Sequence, residues 1–179
     1  ILSSPGDDFP EPEFLDTLFV HRSPVLNEIC GELNKNSVNL LAEHLLRKIG
    51  RIEGNGSPDD GLKMMDKMLL EDGIEPKSVN IADGSGLSRH NWVSAGVVVK
   101  LLDYCLETGF AESFVDALPS YGEGTLNKRK SPRLKGELYA KTGSMSGVRA
   151  FSGIYLYVDL ILWYSHIGFL RLPLPECDR

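Results

Sequence analysis

Through the first two thirds of the chain, apolar residues recur at helical spacing; they then give way to runs rich in β-branched and aromatic residues. In SPVLNEICGELN (23–34), Val25, Ile29 and Leu33 stand four apart, which places them on one face of a predicted helix. VNLLAEHLLRKIG (38–50) follows a polar KNS. It predicts a second helix with Leu41 and Leu45 inward, Glu43 four residues ahead of Arg47, and Gly50 as its stop. The two helices are therefore expected to meet at a tight polar corner around Ser37. The fullest helix signals lie in SPDDGLKMMDKMLLEDG (57–73). Ser57 caps, Pro58 fits the first turn, Asp59 and Asp60 suit the positive end of the helix dipole, and Gly73 terminates. Met64, Met65 and Met68 read as core filler.

Further along, SVNIADGSGLSRHNWVSAGVVVKLLDYCLETG predicts a short extended piece, a Gly-rich loop and a helix ending near Gly109. ADGSG is too short for a dinucleotide fingerprint and lacks the lysine of a phosphate-binding loop, so it reads as a structural turn, with Ser88 as a helix cap. A short helix AESFVDAL and a loop PSYGEGTLNKRKSPRLKG come next. ELYAKTG, VRAFSGIYLYV and LILWYS then predict strands. Helices followed by strands, without internal repeats, give an α+β fold with helices packed on a C-terminal antiparallel sheet.

Composition narrows the functional classes. Of 179 residues, 42% are hydrophobic and 25% charged, values that support a packed core in one domain. The net charge of −6 gives no field for nucleic acid or an acidic membrane surface. Cys30, Cys105 and Cys177 lie far apart, and His21, His44, His90 and His166 lack ligand spacing, so neither a metal site nor a disulfide framework is expected. No cofactor motif is found. The apolar segment IYLYVDLILWYSHIGFL contains Asp159 and His166 and is broken by Gly168, which favours buried strand over membrane span. The opening ILSSPGDDFPEPEF has loop composition and no signal-peptide pattern, and the chain reads as an excerpt of a longer one.

The candidate chemistry lies in GELYAKTGSMSGVRAFSG (136–153), where Lys141, Thr142 and Gly143 interrupt an otherwise strand-like run. On a strand bordering a cleft, Lys141 can offer an ammonium to a carboxylate and Thr142 a hydroxyl to the same group. Gly143 lets a substrate backbone lie close. Ser144 can aim its N–H at a carbonyl oxygen, as half of an oxyanion hole, a donor worth about 2.7–4 kcal/mol in the transition state. The plain alternative is a solvated strand end. Lys-Thr-Gly accompanies Ser-x-Asn and Ser-x-x-Lys in penicillin-binding proteins and class A β-lactamases. Ser-x-Asn occurs twice, at Ser37-Val38-Asn39 and Ser78-Val79-Asn80. The first copy occupies the helical corner, where short polar side chains can protrude into a cleft; the second lies in a short extended piece after Pro76. Ser37 and Asn39 are the pair chosen.

Together, HRSPVLNEICGELNKNSVNLLAEHLLRKIG, IADGSGLSRHN, GEGTLNKR and LYAKTGSMSGVRAFSG resemble the low-molecular-mass class C penicillin-binding proteins, the serine D-alanyl-D-alanine carboxypeptidases and endopeptidases of the penicillin-binding protein 4 kind. The similarity runs from about residue 15 to residue 153, with the motifs in the family's order. It implies a fragment of a β-lactamase/D,D-peptidase-like fold, a single partial domain over 1–179. It also implies a location outside the cytoplasm and, as partners, a peptidoglycan stem peptide ending in D-Ala-D-Ala and β-lactam antibiotics. Ser37 would match the serine that relays a proton to the leaving amine, and Asn39 the amide that holds substrate backbone. Lys141 and Thr142 would match the pair that binds the terminal carboxylate, and Ser144 the oxyanion donor.

Two departures stand out. No serine in the sequence is followed three positions later by lysine, so the nucleophile and its base are missing from this material and the chain alone is not expected to hydrolyse peptides. After residue 153 the sequence diverges. It offers no polar turn between Asp159 and Trp163 and ends in a Pro-rich tail, as a shifted reading frame would produce, and its last strands are expected to pack poorly. Two functional classes remain: an enzyme fragment, and a non-catalytic module that recognises cell-wall peptide. A β-lactamase of the same fold is a weaker third, since no residue is identified for activating the water of deacylation.

Overall fold

The structure, a computed structural model, describes residues 18–127, 138–157 and 160–168, with the last strand described by its backbone. The opening loop, part of the loop before the first long strand, Asp159, Cys177 and the Pro-rich tail lie outside these residues. Helices α1 (Leu26–Asn36), α2 (Asn39–Gly50) and α3 (Pro58–Glu71) precede a two-residue ribbon of β1 (Val79–Asn80) and β2 (Trp92–Val93). Then come α4 (Ala95–Glu107), α5 (Ala111–Asp116), and an antiparallel sheet of β3 (Leu138–Met145), β4 (Val148–Tyr157) and β5 (Leu160–Gly168) in the order β3-β4-β5. The architecture is α+β, as the order of helical and strand patterns predicts.

Local signals account for most boundaries. Ser57 Oγ accepts the Asp60 N–H at 3.1 Å while the Asp60 carboxylate accepts the Ser57 N–H at 3.3 Å, a reciprocal cap that starts α3. The Ser88 expectation is corrected. Ser88 lies in a turn, and α4 is capped by Ser94, whose Oγ accepts the Val97 N–H at 3.2 Å. Leu46, rather than Leu45, is the deepest side chain of α2, at 2% exposure. Met68 is 45% exposed and is not core filler, because it falls on the outer face of α3. Along α1 the predicted apolar stripe is present, yet none of its residues is buried.

The core forms around α4. Val97 near its start packs with Leu69 and Ile74, while Leu102 packs with Leu118 and Ile154 of β4. Each such side chain contributes about 1.5–3 kcal/mol on full burial. A third cluster of Leu126, Leu138 and Ala140 lies on the other face of β3. This follows from the register: Ala140 pairs with Gly153 and Leu138 with Tyr155, whereas Tyr139 pairs with Ile154 and Lys141 with Ser152. The strand predicted at LILWYS lies within β5. The backbone of 160–168 continues the sheet, with Tyr157 opposite Leu160 and Arg149 opposite Gly168, because this run keeps the β propensity a ladder needs.

Candidate active site

Ser37 is the one non-glycine residue with positive φ among the described residues, at φ 56° and ψ 50°. It ends α1 in the left-handed conformation. Its N–H donates to the Leu33 carbonyl, which also accepts from the Val38 N–H at 3.2 Å. That turn reverses the chain within two residues and lets α2 begin at Asn39. Ser37 and Asn39 are both exposed on the corner. A side chain held in this backbone region costs about 1–2 kcal/mol. Ser37→Gly is therefore expected to raise the unfolding free energy by about 1 kcal/mol in urea titrations while removing the hydroxyl. Ser37→Ala, which keeps the strain, is expected to give no such gain.

Lys141 comes to this corner from the sheet. Its Nζ donates to Ser37 Oγ at 3.0 Å and to the Thr142 carbonyl at 2.6 Å. Half-buried, it is pushed below the ordinary lysine range by desolvation, so a neutral amine is more accessible than on a surface lysine. No carboxylate forms an ion pair with it among the described residues. The ammonium is thus positioned by neutral oxygens and has charge to offer an incoming anion.

Among the described residues, no strand pairs with β3 beside Lys141 on the edge away from β4. The Ala140 N–H donates to the Pro119 carbonyl at 3.0 Å, away from β4. In an antiparallel ladder, backbone groups alternate between the two edges, so those of Thr142 and Ser144 point the same way as those of Ala140, away from β4. Ser144 and Gly143 are exposed, and Thr142 is half-buried. At Gly143 an added Cβ would lie 3.3 Å from Ala150 Cβ, a tight contact with the residue facing it on β4. The structure therefore brings Ser37, Lys141 and the Thr142–Ser144 edge together. It separates the other Ser-x-Asn copy from them: Ser78 Oγ donates to the Glu75 carbonyl at 2.6 Å and Asn80 Nδ2 to the His90 carbonyl at 2.6 Å.

What holds strand and corner at this distance is the segment 119–126, to which the motifs assign no function. Ser120 bridges to Tyr139 of β3. Further along the segment, a 3-10 turn at Gly124–Leu126 presses on the end of α1 so closely that a Cβ at Gly124 would lie 2.1 Å from the Lys35 carbonyl oxygen. Glu123 pairs with Lys35 at 3.5 Å, and hydrogen bonds from Ser120, more than Lys35 itself, hold its carboxyl below the usual range. Two glycines flanking Glu123 in a loop are the available sequence signal.

Among the described residues, no group of three or more His, Cys, Asp or Glu side chains gathers as a metal site, and no helix is long and apolar enough to cross a membrane. Cys30 and Cys105 are half-buried, and burial pushes both thiols up, away from nucleophilic thiolate.

Residues 10–159 match the model of the D-Ala-D-Ala carboxypeptidase 3 (S13) family. The chain is 38% identical over 146 residues to a D-alanyl-D-alanine carboxypeptidase of Actinomadura sp. strain R39, covering 77% of this chain and 27% of that protein. It is 30% identical over 188 aligned positions to the D-alanyl-D-alanine carboxypeptidase DacB of Haemophilus influenzae, covering 94% of this chain and 39% of that one. The crystal structure of penicillin binding protein 4 from H. influenzae superimposes with a TM-score of 0.72 at 26% identity, over 84% of this chain and 35% of that chain. The same protein has been solved with a β-lactam bound. The chain thus spans well under half the length of these relatives.

Proposed function

Since the chain belongs to the D-Ala-D-Ala carboxypeptidase 3 (S13) family, we propose that it forms the carboxylate-holding and proton-relaying part of a serine D,D-peptidase site that cleaves peptidoglycan stem peptides, outside the cytoplasm where that polymer lies. The observation that carries this is the 3.0 Å contact between Lys141 Nζ and Ser37 Oγ, made between residues 104 positions apart. In this site Lys141 and Thr142 take the terminal carboxylate of the D-Ala-D-Ala end. Gly143 admits the peptide backbone against β3, and Asn39 holds it from the corner. The outward-facing Ser144 N–H stabilises the oxyanion that forms when a serine hydroxyl adds to the scissile carbonyl. As the C–N bond then breaks, Ser37, hydrogen-bonded to Lys141, passes a proton to the departing amine. A β-lactam, with its strained amide and carboxylate, fits the same groups.

The attacking hydroxyl belongs to a Ser-x-x-Lys that this sequence does not contain. That observation favours a second reading for the chain by itself, a module that binds cell-wall peptide without chemistry. Labelled penicillin separates hydrolysis from binding. A longer chain that adds the family's Ser-x-x-Lys segment is expected to become covalently labelled, and the 179 residues alone are not; labelling of the 179 would refute the assignment of the nucleophile. Binding is checked by titrating the chain with an acyl-D-Ala-D-Ala peptide and its C-terminal amide. The carboxylate form should bind more tightly, and equal affinity would argue against the whole reading.

A further inference from the structure

We propose that Glu43 is a positioning residue of this site, acting by fastening the Asp83–Ser88 turn to the helix that begins at the Ser37–Asn39 corner. The proposal rests on the peptidase reading of that corner and assigns a part to the ADGSG loop, which the mechanism does not otherwise use. Helical spacing predicts that Glu43 pairs with Arg47 along α2. Its carboxylate turns instead to the loop, accepting the Ser85 N–H at 2.9 Å and the Gly84 N–H at 3.4 Å. Bonds of this charge-assisted kind are about twice as strong as neutral ones.

The loop is built to be gripped. Asp83 accepts the N–H groups of Gly86 and Ser88, each at 2.6 Å, and Asn91 Nδ2 at 2.8 Å. Asn91 Oδ1 in turn accepts the Ala82 N–H at 2.7 Å. At Gly84 the loop meets α2 backbone to backbone: an added Cβ would lie 2.7 Å from the Ala42 carbonyl oxygen and 3.2 Å from the Glu43 nitrogen. The site has use for such a hold. The first turn of α2 follows Val38, has no side-chain cap and no acidic residue, and it leaves a strained Ser37. An uncapped turn frays unless tertiary contacts fix it. Glu43 stands four residues after Asn39, hence on the same helical face and one turn in, where a fastening steadies the corner without occupying it.

The test uses the full chain and follows the Lys141 ε-methylene carbon by NMR through a pH titration. Releasing the corner from Lys141 exposes its ammonium to water, so Glu43→Gln and Gly84→Ala are both expected to move its midpoint upward, toward an ordinary lysine. A direct charge effect has the opposite sign, since removing a negative charge lowers a lysine's midpoint. Glu53→Gln, at a remote exposed pair with Lys67, is the control and should change nothing. A midpoint that stays or falls in folded Glu43→Gln and Gly84→Ala overturns the proposal. Amide exchange of the unsubstituted chain in increasing urea decides the matter even if the variants do not fold. Ser85 N–H, bound to Glu43, and Leu41 N–H, which donates to the Val38 carbonyl at 3.1 Å in the first turn of α2, should open together as one unit, and a Ser85 amide that opens well before Leu41 overturns the proposal as well. Failure of the unsubstituted chain to bind the D-Ala-D-Ala peptide would remove the peptidase reading while leaving these outcomes to be judged separately.

Discussion

In a longer chain that joins these residues to a Ser-x-x-Lys segment, replacing Lys141 by alanine is expected to slow acylation by carboxylate-bearing substrates on the order of a hundredfold or more. Truncating one partner of a desolvated, hydrogen-bonded charge pair costs about 2–5 kcal/mol, and each 1.4 kcal/mol is about tenfold. Analogues without the carboxylate should lose far less. Stopped-flow acylation with matched acid and amide substrates checks this, and an equal loss for both would reduce Lys141 to a support for its strand. The same residue sets a pH dependence. Burial lowers its pKa in the free site, so with rising pH it gives up its proton earlier than a surface lysine does. Carboxylate binding needs the protonated form, so affinity should be full on the acid side and decline as pH rises through that lowered value. A bound carboxylate should in turn raise it.

The second large effect is expected at Gly153, which faces Ala140 across the ladder. A Cβ there would lie 2.2 Å from the Tyr139 carbonyl oxygen and 2.5 Å from both Ala140 Cα and Cβ. These are backbone and core atoms that cannot swing aside, and Ala140 and Ile154 are fully buried. Gly153→Ala is expected to cost about 3 kcal/mol in urea unfolding by overpacking, with a lower midpoint and an unchanged slope. Gly109→Ala, where nothing lies within 4 Å, should stay within about 0.5 kcal/mol. Because the clash falls on the two residues before Lys141, folded Gly153→Ala should also disturb the Lys141 resonance; a stable variant would mean that β3 shifts freely there.

How much of the fold and the site is legible in the sequence differs from residue to residue. The reciprocal Ser57–Asp60 cap, the strand at Lys141 and the corner at Ser37 all follow from contacts within a few positions, and the motifs name them directly. The cap of α4 at Ser94 escapes the local pattern because Ser88 offers the same side chain six residues earlier, and only the Asp83 turn consumes the intervening chain. Glu43 escapes it for a related reason. Spacing along a helix identifies Arg47 as a neighbour and is blind to a loop about 40 residues away.

By itself, the sequence determined the helical and strand segments, the polar corner and the triplet, since each depends on backbone preference and periodicity over one or two turns. It also contains no Ser-x-x-Lys. Only the tertiary structure decided how near the Ser37 corner comes to Lys141, which edge of β3 faces away from β4, and how 119–126 sets their separation. Those outcomes depend on packing between elements far apart in the chain, where the close approaches at Gly124 and Gly84 and the burial of Lys141 arise. No local pattern encodes a distance of that kind.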